Sequence, residues 1–115
     1  MIKFDFGAME RRVEADWPVI VPVPQDGGKL QEQTLQVRFQ LLDESEEKEI
    51  DAGEDAGRER IRRAVLGFAG SEQAEFTPEL LEAMLNRPYV RLALNKAYAE
   101  FSVGVAPKNS LRSRG

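Results

Sequence analysis

Histidine and cysteine are both missing from this chain of 115 residues, and the two gaps exclude a great deal of chemistry. Without them there is no Ser–His or Cys–His pair for nucleophilic catalysis, and no ordinary nitrogen or sulfur ligand for zinc or copper. The one side chain that titrates unperturbed near neutral pH is absent too. Lack of cysteine removes disulfides and thiol chemistry and fits a reducing cytoplasm. No apolar run approaches the roughly 18 residues that a membrane-crossing helix needs. The opening Met1-Ile2-Lys3-Phe4-Asp5-Phe6 lacks the charged-then-apolar plan of a secretory signal. A net charge of −4 speaks against a nucleic-acid or anionic-membrane partner. A carboxylate pair tuned by burial would still support acid–base work, yet the acidic residues crowd into one polar run where solvation keeps them ordinary. The expectation is a protein without catalytic residues, cofactor or metal, which acts by binding other proteins.

What is present begins with alternation. Ile2, Phe4 and Phe6 fall on one side of a short stretch and Lys3 and Asp5 on the other, the pattern of a strand with one buried face. After Gly7 a longer run follows: Val13, Ala15, Trp17, Val19, Val21 and Val23 occupy every second position, again predicting a strand. The intervening positions include Pro18, Pro22 and Pro24. Backbone N–H groups point to alternate edges of a strand, so all three prolines remove donors from the same edge, leaving the other free to pair. This pattern predicts an edge strand blunted against further pairing; a polyproline segment is the other reading. Gln25-Asp26-Gly27-Gly28-Lys29 reads as a turn. Leu35, Val37, Phe39 and Leu41 then alternate on the return, predicting one hairpin over residues 12 to 42. A lone hairpin is marginal in water, so helices downstream must cover it.

Between Asp43 and Glu59 nine acidic residues face only Lys48 and Arg58. Asp43 and Glu46 have capping-box spacing, while Gly53 and Gly57 weaken a helix; the segment reads as an acidic linker or short helix with a solvated face. A calcium loop fails, because Ala56 stands where its glycine belongs and Arg62 where its bidentate glutamate belongs. Ile61, Ala64, Val65 and Phe68 recur at helical spacing. Phe76-Thr77-Pro78-Glu79 combines a staple residue, a cap, a first-turn proline and an acid, starting a helix that ends near Asn86. Pro88 starts another, with Val90, Leu94, Ala97, Tyr98 and Phe101 along one stripe. Core packing is the default for these apolar residues; Tyr89, Tyr98 and Phe101 are the candidate protein contacts, since aromatics dominate interfaces. The predicted architecture is α+β: an antiparallel hairpin, with residues 2–6 as a third short strand, packed on C-terminal helices. One domain covers 1–105, β-rich over 1–42, acidic over 43–59 and helical over 60–103. A flexible basic tail covers 106–115.

The order of these pieces resembles the tail assembly chaperones of lambda-type long-tailed phages. The resemblance rests on the hairpin "DWPVIVPVPQDGGK…QTLQVRFQLL", the Val65 to Gly70 step, the run "FTPE.LE.ML..P.V..AL..AY.E", and a terminal Lys-Asn. It implies a small assembly factor of the host cytoplasm, absent from the mature virion. Such a factor binds the tape-measure protein and assists tail-tube polymerisation. Many members are also made in a longer, frameshifted form whose extra domain recruits the tail-tube protein. Lys108 and Asn109 can be encoded as A-AAA-AAC, a slippery sequence, which marks them as the candidate frameshift point. A structural head–tail connector or tail-completion subunit is the alternative, and an acidic nucleic-acid mimic a third. Oligomeric state is left open, a homo-oligomer included.

Overall fold

The computed structural model describes residues 2–69 and 75–107. Two strands of equal length form its spine. β1 (Glu14–Pro24) and β2 (Leu30–Gln40) run antiparallel, in unbroken register from Glu14 opposite Gln40 to Pro24 opposite Leu30. Asp26–Gly28 close the hairpin as a 3-10 turn. Gly27 and Gly28 take φ of 74° and 76° there, left-handed backbone that a Cβ would strain.

The two ends of the ladder show which edge is free. Leu41 N–H donates to the Val13 carbonyl at 2.8 Å, and Gln25 N–H to the Lys29 carbonyl at 2.8 Å. Odd-numbered positions of β1 therefore face β2, and even-numbered ones turn their backbone groups outward. Pro18, Pro22 and Pro24 all lie in the outward set, so the edge lacks three donors, as the alternation implies.

The third strand is not where the alternation of Ile2, Phe4 and Phe6 places it. Residues 2–5 form no strand, and Phe6–Glu10 coil into a 3-10 helix. Asp5 caps it by accepting the Ala8 N–H at 3.3 Å. Alternation supplies a strand with faces but not with a neighbour, and this segment has none. The third strand is instead β3 (Val65–Phe68), which pairs antiparallel with β2 on the side away from β1, with a bulge at Arg38 and Phe39. The helical stripe read through Ile61, Ala64, Val65 and Phe68 is thus cut in the middle. Helix α2 (Ala56–Ala64) stops and the chain straightens, the β-branched Val65 and aromatic Phe68 suiting the extended form once β2 offers an edge.

The other helices are α1 (Glu44–Asp51), α3 (Pro78–Leu85) and α4 (Pro88–Val103). The capping box is formed in both directions: Asp43 accepts the Glu46 N–H at 2.9 Å, and Glu46 accepts the Asp43 N–H at 3.0 Å. Thr77 caps α3 by accepting the Leu80 N–H at 3.0 Å. The acidic stretch is therefore two short helices turning at Gly53. Its charges are answered by arginines: Arg60 meets Glu47 at 2.7 Å and Asp51 at 2.6 Å, and Arg63 meets Glu49 at 2.7 Å and Glu59 at 2.8 Å. Arg62 grips Glu82 with two nitrogens, at 2.6 and 2.9 Å, tying α2 to α3. These arginines, which the sequence leaves outside the apolar stripe, fasten the helices to one another.

Helix α4 covers the inner face of the hairpin. Phe39 packs against Tyr98 and Phe101 with centroids 5.6 Å apart in each case, and Trp17 meets Phe101 at 5.5 Å. Val19, Val37, Ile50, Ile61, Leu85 and Leu94 complete a buried core that joins sheet and helices. The fold is α+β.

Candidate functional site

Helix α4 has two faces side by side. Leu94, Ala97, Tyr98 and Phe101 point into the core. Tyr89, Leu92, Ala93, Lys96, Ala97 and Glu100 recur at three- and four-residue intervals on the adjoining face, which runs beside the free edge of β1. Between them lies an apolar groove of about 260 Å³. Pro18, Ile20 and Pro22 form one wall, with Glu32 from β2 beside Pro22, and Tyr89 and Leu92 form the other. The small side chains of Ala93 and Ala97, shared with the core face, leave the space open. Lys96 brings a positive charge and Glu32 and Glu100 negative ones, and Pro107 also lines the groove.

The proline edge determines how anything can be held there. An added strand would need a ladder of donors, and Ile20 is the sole N–H left among the outward positions from Pro18 to Pro24. An occupant is therefore held by side chains against side chains rather than by sheet extension. Leu92, on the α4 wall, is 67% exposed.

A wider recess of about 580 Å³ lies at the end of β2 near Leu42, Glu47, Arg60 and Tyr98. Two of its charges pair with one another, Arg60 with Glu47 at 2.7 Å. Burial pushes the Tyr98 hydroxyl above its ordinary pKa, against a hydrogen bond from Leu42 that pulls it down. Among the described residues no group of three or more acidic side chains is placed to hold a metal ion.

Of the three aromatics singled out from the sequence, the structure separates one from two. Tyr89 is half-buried and lines the groove. Tyr98 and Phe101 are only 3% and 8% exposed and belong to the core, so neither offers its ring to a partner. Lys108 and Asn109 lie outside the described residues. Pro18, Ile20 and Pro22 were not singled out as contacts, although a signal was available. The outward positions of β1 turn from Glu14 and Asp16 to an apolar Pro18, Ile20, Pro22 and Pro24.

A second exposed apolar feature precedes the hairpin. Ile2, Phe4, Phe6 and Met9 are between 66% and 94% exposed, and the Phe4 and Phe6 rings meet at a tilt, with centroids 4.9 Å apart. The segment is tethered behind them: Arg12 donates to the Leu41 carbonyl at 3.1 Å and meets Glu46 at 2.8 Å.

No protein-family model, curated protein or solved structure matches this chain.

Proposed function

We propose that this chain is a phage tail assembly chaperone that binds the tape-measure protein and assists tail-tube polymerisation in the host cytoplasm, without remaining in the mature virion. The observation that carries the reading is the groove between α4 and the proline edge of β1. Its walls are apolar apart from Glu32, Lys96 and Glu100, and it is open to solvent. From Tyr89 to Glu100, α4 offers a length of about 16 Å at 1.5 Å per residue, or three turns of a client helix. An amphipathic segment laid along it would be held by apolar anchors, the helix-in-groove mode. The resemblance of the ordered motifs to those of the tail chaperones supports this choice of client. Recruitment of the tail-tube protein belongs to the longer, frameshifted product and is proposed with it.

Co-expression with a tape-measure protein tests the reading. The chain should co-purify with that protein and keep it soluble, and Leu92→Glu should reduce retention about tenfold or more while the far-ultraviolet circular dichroism stays unchanged. Purified phage particles should lack the chain. Its permanent presence in particles would favour the connector reading, to which a blunted sheet edge is equally suited. The slip point is tested on the nucleotides: A-AAA-AAC at Lys108-Asn109 followed by an open −1 frame is expected, and AAG-AAT would remove it.

A further inference from the structure

The groove between α4 and β1 already receives the chain that follows α4. The helix ends at Gly104, whose φ of 74° turns the backbone out of it. The Val105 N–H closes that turn on the Glu100 carbonyl at 2.9 Å. Two residues further on, Pro107 lines the groove together with Glu100. Residues 108–115 lie outside the described residues and continue from that point, reading Lys-Asn-Ser-Leu-Arg-Ser-Arg-Gly. We propose that they occupy the groove of their own chain, with Leu111 as the apolar anchor between α4 and the proline edge of β1.

Reach, size and charge favour that occupant. From Pro107 to Leu111 an unpaired extended chain covers about 12 Å, and α4 from Glu100 back to Leu92 also covers about 12 Å. Leu111 therefore reaches the level of Leu92 and Ala93 without leaving the groove. A leucine side chain is smaller than benzene, which a cavity of about 150 Å³ admits, so the 260 Å³ of the groove holds one such anchor. Leu111 is the sole large apolar residue after Pro107. The proline edge gives the tail no ladder to join, and an unpaired extended chain repeats every third residue, which sets Lys108, Leu111 and Arg114 on one side. Two cations then flank the anchor in a groove whose lining carries the Glu32 and Glu100 carboxylates against the single ammonium of Lys96. Any client of the groove competes with the tail, which lowers its apparent affinity.

Paramagnetic broadening in the full-length chain, purified without any client, tests it. The chain has no cysteine, so Ser113→Cys carries a single nitroxide. In the amide spectrum of that protein, Leu92, Ala93 and Lys96 should lose most of their intensity. Adding Leu111→Asp should restore those signals, with the amide shifts of core residues such as Val19 and Val37 unchanged, which shows that the fold is kept. An equal mixture of nitroxide-bearing chains without isotope and isotope-labelled chains without nitroxide should show no loss. Full intensity at Leu92, Ala93 and Lys96 in the first sample overturns the proposal. So does a loss that Leu111→Asp leaves in place, since a tail merely tethered at Pro107 would give it. A loss in the mixture would assign the groove to the tail of a second copy and overturn it as well. None of these readouts involves the tape-measure protein, so failure of this inference and failure of the function proposed above are told apart.

Discussion

The hydroxyl oxygen of Tyr98 accepts the backbone N–H of Leu42 at 2.9 Å, across 56 positions of sequence. Leu42 follows the last residues of the hairpin and precedes the capping box of α1, so the bond ties the exit of β2 to the middle of α4. Both residues are buried, and water has little access to replace either partner. Tyr98→Phe keeps the ring against Phe39 but strands the Leu42 N–H. It should destabilise the fold by about 1–3 kcal/mol, read as a lower urea midpoint with an unchanged slope.

Leu92 and Leu94 sit two residues apart on α4 with opposite exposures. Leu94 is 1% exposed within the core, whereas Leu92 borders the groove. Leu94→Ala should cost about 2–5 kcal/mol through lost burial and a residual cavity. Leu92→Ala should leave stability within about 0.5 kcal/mol of the parent. Thermal melts of the two variants check the division of the helix into a core face and a groove face.

Replacing Pro18, Pro22 and Pro24 together by valine restores three outward N–H groups to the edge of β1. That edge would then be long, β-prone and free to pair. The triple variant should scatter light and bind an amyloid dye under conditions where the parent stays clear. Equal behaviour of the two proteins would show that the prolines do not protect the edge.

Stability should respond to acid and to strong alkali but not to the range between. The Asp43 carboxyl is held below its ordinary value by the Glu46 N–H and the Ser45 hydroxyl, and the Glu46 carboxyl by the Asp43 N–H and Arg12. Arg63 lowers Glu59, and Arg62 lowers Glu82. Each of these groups binds a proton more readily in the unfolded chain. The stabilisation is therefore complete above the ordinary Glu value of 4.5 and is lost as the pH falls below it. Tyr98 has the opposite sign: its raised pKa means the unfolded chain loses its proton first, so stability falls above the ordinary value of 10.0. Without histidine, urea midpoints should be level from about pH 6 to 8.

Much of the architecture was legible because it is local. The hairpin follows from valines at every second position and a Gly27-Gly28 turn, and its ladder parity places Pro18, Pro22 and Pro24 on the free edge. The Asp43–Glu46 box and the Thr77-Pro78 start form within a single turn, so neighbouring residues suffice to specify them. The place of Tyr89 on the groove was legible only as an aromatic among aromatics; nothing near Tyr98 or Phe101 in sequence says that Phe39 lies against both.

Residues alone determined periods, caps, turns and the missing chemistries, because each depends on backbone preferences or on which side chains exist. Tertiary structure decided the rest. Ile2, Phe4 and Phe6 alternate as convincingly as the valines of β1, yet they form no strand, because a strand exists only where another edge meets it. Val65 and Phe68 continue a helical stripe yet become β3, because β2 has a free side away from β1, where the Ala69 N–H donates to the Gln36 carbonyl. The groove has the same origin: its walls come from residues 18–22 and 89–100, and no local rule relates segments that only the packing of α4 on the sheet brings together.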